Sequence, residues 1–126
     1  MRVLQTKSFY RNAAVQGLVD DDLIKAIREV ASGLTGNALG SNLFKKRVAI
    51  GGKGKSGGLR TILVYKSSTA KVFCIHIFAK NEKANIAGKE LDALKKLSKA
   101  LLELTDKQLE EALKQKELKE IPYDGN

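Results

Sequence analysis

The sequence predicts an α+β fold, with helices towards both ends of the chain and strands in its middle. Two apolar, β-branched runs, Leu59–Lys66 and Val72–Ala79, predict adjacent strands joined by a hairpin loop. Apolar residues recur at helical spacing before these runs, in residues 23–34, and after them, in residues 91–104. Helices and strands that are segregated along the chain in this way are typical of the α+β class.

The N-terminal third predicts one short strand and two helices. Arg2 to Lys7 alternates weakly and predicts a strand, and Phe9 to Gly17 reads as a short helix that ends at glycine. The aspartates at 20–22 supply capping and first-turn carboxylates for a second helix, which ends at Gly33 or Gly36. A metal site there is disfavoured, because three consecutive side chains at a helix start point in different directions. The apolar side of this helix is formed by Leu23, Ile27, Val30, Ala31 and Leu34.

The remaining segments predict an extended stretch and two further helices. Residues 37–42 read as a loop, and Leu43 to Ile50 reads as extended. The motif Thr105–Gln108 is a capping box that opens the last helix. We find no internal repeat and no linker, and we expect one domain over residues 1–126. The long helix before the capping box has one face lined by Leu91, Leu94, Leu97, Leu101 and Leu104.

Composition points to a compartment and to a class of partner. Cys74 is the single cysteine and lies in an apolar run, which fits a reducing cytoplasm. The chain has no apolar signal region and no stretch of the roughly 20 apolar residues that span a membrane, so we expect a soluble protein without a membrane partner. The net charge of +9 is concentrated in residues 45–89, where eleven basic residues accompany one acidic residue. This basic sector favours a polyanion-binding surface, with an ordinary solvated lysine-rich surface as the alternative.

A glycine- and lysine-rich segment, residues 51–58, runs directly into the strand that begins at Leu59. It contains a G-x-G-x-x-G match, but a strand follows it where a dinucleotide-binding loop requires a helix. A Walker loop also fails, because Ala49 occupies the position of its first glycine, and the chain is too short for a kinase. The glycines instead allow the backbone to bend closely around a ligand while Lys53 and Lys55 stay exposed.

Pairing the two clearest strands brings cations together. We place residue 66 opposite residue 72, so that Arg60 lies opposite Phe78 and shares one sheet face with His76. That end of the hairpin is also where the glycine–lysine segment enters. The cations expected to converge there are Lys53, Lys55, Arg60 and Lys80. The other face, assigned to the core, holds Leu59, Thr61, Leu63, Tyr65, Phe73, Ile75 and Ile77.

Such a cluster suits cleavage of RNA by attack of the ribose 2′-hydroxyl. The transition state carries extra negative charge, which the planar fork of Arg60 can meet bidentately. A lysine crowded by other cations becomes a usable proton-transfer group near neutrality. We expect no metal and no cofactor, since the sequence offers no convincing set of metal ligands. On residue chemistry alone, phosphate binding without catalysis is slightly favoured over cleavage. His76 and Cys74 read as packed residues.

The motifs also resemble a known family, the HigB-like branch of the RelE toxins of type II toxin–antitoxin systems. The resemblance extends from Phe9 to Ile121. It implies an α+β fold in which two N-terminal helices pack on a small antiparallel β-sheet, followed by helical C-terminal segments. The residues that carry it are Lys46–Ala49, Gly52–Gly58, Arg60-Thr61, Phe78–Glu82 and Asn85-Ile86.

The resemblance implies an mRNA interferase, an endoribonuclease toxin that cuts mRNA on the ribosome and inhibits translation. A cognate antitoxin would silence it, and the complex would set its oligomeric state. The implied catalytic residues are Lys53, Lys55, Arg60 and Lys80. The candidate nucleic-acid-binding residues are Lys45, Lys46, Arg47, Asn81 and Lys83.

The resemblance leaves the general base unassigned, and other functions are compatible with the sequence. A clear late tyrosine or histidine is missing, since Tyr123 lies near the tail, so the general base is unassigned. We expect the terminal helices to offer a second antitoxin surface through Leu109, Leu113 and Leu118. A non-catalytic nucleic-acid-binding module or degenerate toxin is the main alternative. Gyrase poisoning, as by the ParE relatives, is disfavoured because a gyrase poison needs no phosphodiester-cleaving cluster.

Overall fold

A computed structural model describes residues 1–50, 58–79 and 86–123, and it confirms the α+β class. Helices pack on both faces of one six-stranded sheet. No helix within these ranges is long and apolar enough to cross a membrane. The strands are β1 (Arg2–Thr6), β2 (Asn37–Gly40), β3 (Leu43–Val48), β4 (Leu59–Lys66), β5 (Lys71–Ala79) and β6 (Leu118–Ile121). The helices are α1 (Lys7–Val15), α2 (Asp20–Ala31), α3 (Gly88–Leu102) and α4 (Asp106–Lys114), with a 3₁₀ turn at Ser67–Thr69.

The sheet is mixed, where an antiparallel sheet was expected. Its strand order is β2-β3-β4-β5-β1-β6, and every neighbouring pair is antiparallel except β1 with β5. In that parallel pair Val3 lies beside Val72. Val3, Leu4 and Gln5 are all buried, because β1 is an inner strand covered on both faces. A strand covered on both faces shows little alternation of apolar and polar residues. Nothing in the sequence therefore indicated that β1 runs parallel to β5.

Each face of the sheet has its own core. On the α1–α2 face, helices α1 and α2 cover a core that includes Phe9, Ile27 and Leu63. On the α3–α4 face, helices α3 and α4 cover a core that includes Leu4 and Ile62. The terminal leucines proposed as an antitoxin surface are used in this second core: Leu109 is 1% exposed, Leu118 is 5% exposed and Leu113 packs against them. The expectation that they form a free docking surface is therefore wrong.

The β4–β5 hairpin has the expected pairing at one end and a shifted pairing at the other. Arg60 lies opposite Phe78 and Ile62 opposite His76, as the sequence predicts. The register then shifts by one residue, so that residue 65 rather than 66 lies opposite residue 72. The extra residue forms a β-bulge. It places Phe73 and Ile75 in the α3–α4 core, so their assignment to the same face as Leu63 is wrong.

The two edge strands were not anticipated from the sequence. Strand β2 forms where a loop was expected, and β6 forms where the chain was expected to be helical. Leu118 and Ile121 are three residues apart, which mimics helical spacing. In a strand, however, this spacing sends the two side chains to opposite faces, one into each core.

The capping box predicted at α4 is present, whereas the N-cap of α2 is Val19 rather than the predicted aspartate. The backbone N–H of Val19, which is the N-cap of α2, donates to the Asp22 carboxylate at 3.4 Å. At α4 the Gln108 N–H donates to the Thr105 hydroxyl at 3.1 Å, and the Thr105 N–H donates to the Gln108 side chain at 2.9 Å. These bonds satisfy donors that a helix start leaves without partners. Asp22 therefore bonds to the N-cap backbone, and Asp20 and Asp21 supply the predicted first-turn carboxylates.

Candidate active site

The candidate site lies at the edge of the sheet where β3 and β5 end and β4 begins. Val48 pairs with Leu59, and Leu59 pairs with Ala79. The residues that flank both basic segments are therefore adjacent. The segments themselves, 51–57 and 80–85, lie outside the described residues, as do the candidates Lys53, Lys55, Lys80, Asn81 and Lys83. Their convergence on Arg60 stays a prediction.

Gly58 allows two strands to approach closely at this end. A Cβ atom built on Gly58 would lie 2.2 Å from the carbonyl oxygen of Val48. That distance is far shorter than a carbon–oxygen contact permits, so any side chain would push β3 and β4 apart. The glycine at the start of β4 is therefore required for backbone packing next to Arg60.

Arg60 is a buried cation that faces a second cation. Its side chain lies directly opposite Arg47, and the residue is only 7% exposed. Within the described part of the chain, its Nη1 atom has no hydrogen-bond partner. Burial, followed by the positive charge of Arg47, lowers the pKa of Arg60. A buried guanidinium with an unused donor is unfavourable on its own, so this position is suited to a bound anion.

The three basic residues of β3 divide between the two faces. Lys45 and Arg47 pair with Ile62 and Arg60, and they share the α3–α4 side with Arg60. Lys46 points to the other side, where it is 6% exposed and its Nζ lies 2.5 Å from a carboxylate oxygen of Glu29 in α2. Lys46 therefore joins α2 to the sheet and does not face a nucleic acid bound at Arg60.

His76 joins the same side of the sheet as Arg60. It lies opposite Ile62, one position diagonal to Arg60, which is within side-chain reach. Its side chain is 29% exposed, and its Nε2 lies 3.6 Å from a carboxylate oxygen of Glu90. The sequence reading of His76 as a packed residue is thus incomplete. His76 lies on the face expected from the sequence, and its contact with Glu90 of α3 adds an imidazole and a carboxylate to the site.

Sequence reasoning missed Glu90 altogether. An acidic residue in the first turn of a helix is ordinary, because it is stabilised by the helix dipole. Only the reversal of the chain between β5 and α3 brings Glu90 to His76. No spacing in the sequence signals that contact.

Other candidate groups do not join this arrangement. Cys74 is fully buried, and burial raises the pKa of its thiol, so it is an inert core residue as predicted. Tyr123 packs against the α1–α2 core, on the opposite side of the sheet from Arg60. Among residues 1–50, 58–79 and 86–123, no three His, Cys, Asp or Glu side chains gather into a metal-binding group.

The comparison with protein families identifies the relatives of this fold and site. The family model described as the RelE toxin of the RelE/RelB toxin–antitoxin system matches residues 1–121 of the sequence. That range contains all the strands and helices described above, together with Arg60, His76 and Glu90. The chain belongs to this family. As a RelE-family protein it is the toxin of a toxin–antitoxin system, and its partner is a cognate antitoxin. No curated protein matches the chain in sequence.

Proposed function

We propose that this RelE-family toxin is a cytoplasmic endoribonuclease that cleaves mRNA on the ribosome and belongs to the HigB-like branch. The observation that carries the proposal is the buried guanidinium of Arg60, which has an unpartnered Nη1 and lies opposite Arg47. The planar fork of a guanidinium can meet two oxygens of a phosphate at once. Toxins of this family are generally endoribonucleases, which supports cleavage over simple binding.

The proposed reaction is an internal displacement at phosphorus. The ribose 2′-oxygen attacks the adjacent phosphorus while its proton passes to a base. The bond from phosphorus to the 5′-oxygen then breaks, and that oxygen takes a proton from a lysine, for which Lys53, Lys55 and Lys80 are the candidates. The products are a 2′,3′-cyclic phosphate and a 5′-hydroxyl end. Arg60 would stabilise the charge that builds on the phosphorane oxygens, and these steps call for no metal or cofactor.

His76 is our candidate for the general base. Histidine is the side chain whose proton exchange falls nearest to neutral pH. The Glu90 carboxylate, 3.6 Å from Nε2, would stabilise the imidazolium that forms when His76 takes the proton. This assignment fills the role that the family resemblance leaves open.

A cleavage assay on mRNA-programmed ribosomes tests the proposal, with fragment ends mapped for the wild type and two variants. Arg60→Lys keeps a positive charge but loses the planar fork, and it should slow cleavage about 10²–10³-fold. The matched control is Lys66→Ala, which removes an exposed cation from the other end of the same strand and should leave the rate unchanged.

Two results would contradict this account. Wild-type cleavage rates in Arg60→Lys would show that the guanidinium is not the clamp. Binding of the wild type to ribosomes without any cleavage would instead favour the non-catalytic module.

A further inference from the structure

A small cleft on the α1–α2 face is lined by a residue whose buried amide nitrogen has no partner among the described residues. The cleft has a volume of about 50 Å³ and lies between β1, α1 and the start of α2. Gln5 of β1 lines it and is 2% exposed, and its Nε2 has no hydrogen-bond partner within the described ranges. The proposed active site lies on the opposite face of the sheet and does not use this group.

The rim of the cleft is apolar and accessible. Tyr10 and Val19 both line it, and they are 42% and 58% exposed. A contiguous exposed apolar surface, in contrast to single exposed residues, is typical of an interaction site. An apolar side chain could enter between them. A displacement of the Gln5 side chain, whose Nε2 is buried, would then let a neighbouring carbonyl oxygen accept a hydrogen bond from that nitrogen. That bond would remove the penalty of a buried donor without a partner.

The charges around the cleft indicate that an acidic partner would bind there. Lys119 of β6 places its Nζ 3.8 Å from the centre of the Tyr10 ring. Lys7 and Arg11, one turn apart on the exposed side of α1, add two further cations beside Tyr10. Asp20 is the acidic residue among those lining the cleft, and it lies at the α2 end. An acidic segment aligned along α1 and β6 therefore complements this rim.

We propose that this cleft binds an apolar side chain of the cognate antitoxin, carried by a segment whose carboxylates face Lys7, Arg11 and Lys119. The existence of an antitoxin follows from the family, so the inference does not depend on RNA cleavage. Because the cleft and Arg60 lie on opposite faces of the sheet, the segment bound here would not itself contact Arg60. This surface replaces the one expected at the terminal leucines.

Two substitutions test the cleft without weakening the fold. Val19→Ser removes an apolar rim residue but supplies a serine at the N-cap of α2, where serine is favourable. Gln5→Leu removes the buried donor that lacks a partner. The matched control is Val15→Ser, which makes the same chemical change at a residue that is 84% exposed and does not line the cleft.

The measurement is the affinity of each full-length variant for the purified protein encoded by the neighbouring gene, by titration calorimetry. We expect binding about tenfold weaker for Val19→Ser and for Gln5→Leu. Val15→Ser should bind as the wild type does, and the midpoint of thermal unfolding should not fall in either cleft variant. Absence of RNA cleavage by the wild type would contradict the proposed function. It would not affect the conclusion about antitoxin binding at the cleft.

Three outcomes would overturn the proposal. One is unchanged affinity in both cleft variants. Another is an equal loss of affinity in Val15→Ser, which would indicate a general surface effect. A third is self-association of the chain that Val19→Ser abolishes while antitoxin binding persists, which would make a second copy the occupant.

Discussion

At the scale of single residues, Arg60 shows a conflict between stability and activity. A buried guanidinium with an unused donor, opposite Arg47, lowers the stability of the fold. We predict that Arg60→Leu raises the free energy of unfolding by about 1–3 kcal/mol and abolishes cleavage. Urea denaturation measures the first effect, with Lys66→Leu as an exposed control that should change stability by less than about 0.5 kcal/mol. A destabilised Arg60→Leu would mean that the fold itself uses the guanidinium.

The pair formed by His76 and Glu90 gives a second prediction at this scale. Cleavage should rise with pH as the imidazole loses its proton, and His76→Gln should remove that dependence. Glu90→Gln removes the carboxylate that stabilises the imidazolium. The rising limb should then move to lower pH, and the plateau should fall because the base is weaker. An unchanged pH profile in His76→Gln would exclude histidine as the base.

At the scale of elements, the sequence predicted the part of the hairpin that positions the site. In β4, Leu59 and Leu63 take the core face assigned to them, so the two-residue period correctly placed Arg60 on the other face. The bulge at Ile75 could not be read, because an apolar run offers no mark for an extra residue. The role of Lys46 was also hidden, because both of its neighbours in the sequence are basic too. Only the position of α2 shows that Glu29 is its partner.

The contact between β3 and β4 predicts an effect of Gly58 on activity. Gly58→Ala should force the two strands apart beside Arg60, costing about 1–3 kcal/mol of stability and slowing cleavage. Gly33→Ala is the control. It introduces strain at a backbone φ of +104°, also of about 1–3 kcal/mol, but no atom lies within 4 Å of its Cβ. Cleavage at the wild-type rate in Gly58→Ala would show that the site tolerates separation of the strands.

At the scale of the whole molecule, the two ends of the chain are joined by ion pairs. Arg2 donates two hydrogen bonds to Glu120 at 2.8 Å and also contacts Glu110 at 3.1 Å. The bonds from Arg2 hold the pKa of Glu120 below its usual range, with burial acting in the opposite direction. A lowered pKa means that this pair stabilises the fold above about pH 4.5, and the gain is lost as the pH falls through the lowered pKa.

Replacing Glu120 tests this link between the ends. Glu120→Gln should lower the free energy of unfolding at pH 7 by about 0.5–1 kcal/mol, a small effect because both side chains are partly exposed. The difference from the wild type should shrink steadily below about pH 4.5. Denaturation curves across this range measure it, with the exposed Glu103→Gln as control. A difference that stays constant with pH would show that the carboxylate charge is not involved.

Three cations of the basic sector lie on the side of the sheet where the proposed substrate would bind. Lys45, Arg47 and Arg60 share that side, while the cleft beside Gln5 lies on the other. The sequence located the basic sector, since eleven of its residues between 45 and 89 are cations. It did not reveal the cleft on the other side, because that cleft forms only where α1 and α2 pack beside the parallel strand β1.

One measurement tests the central claim most directly. The wild-type toxin is incubated with ribosomes programmed with an mRNA that carries a single 2′-deoxy nucleotide at the mapped cleavage position, beside the same mRNA with ribose there. We predict cleavage of the ribose message, with a 2′,3′-cyclic phosphate and a 5′-hydroxyl at the new ends, and no cleavage of the deoxy message. Equal cleavage of both messages would contradict attack by the 2′-hydroxyl, and with it the role proposed for Arg60 and His76.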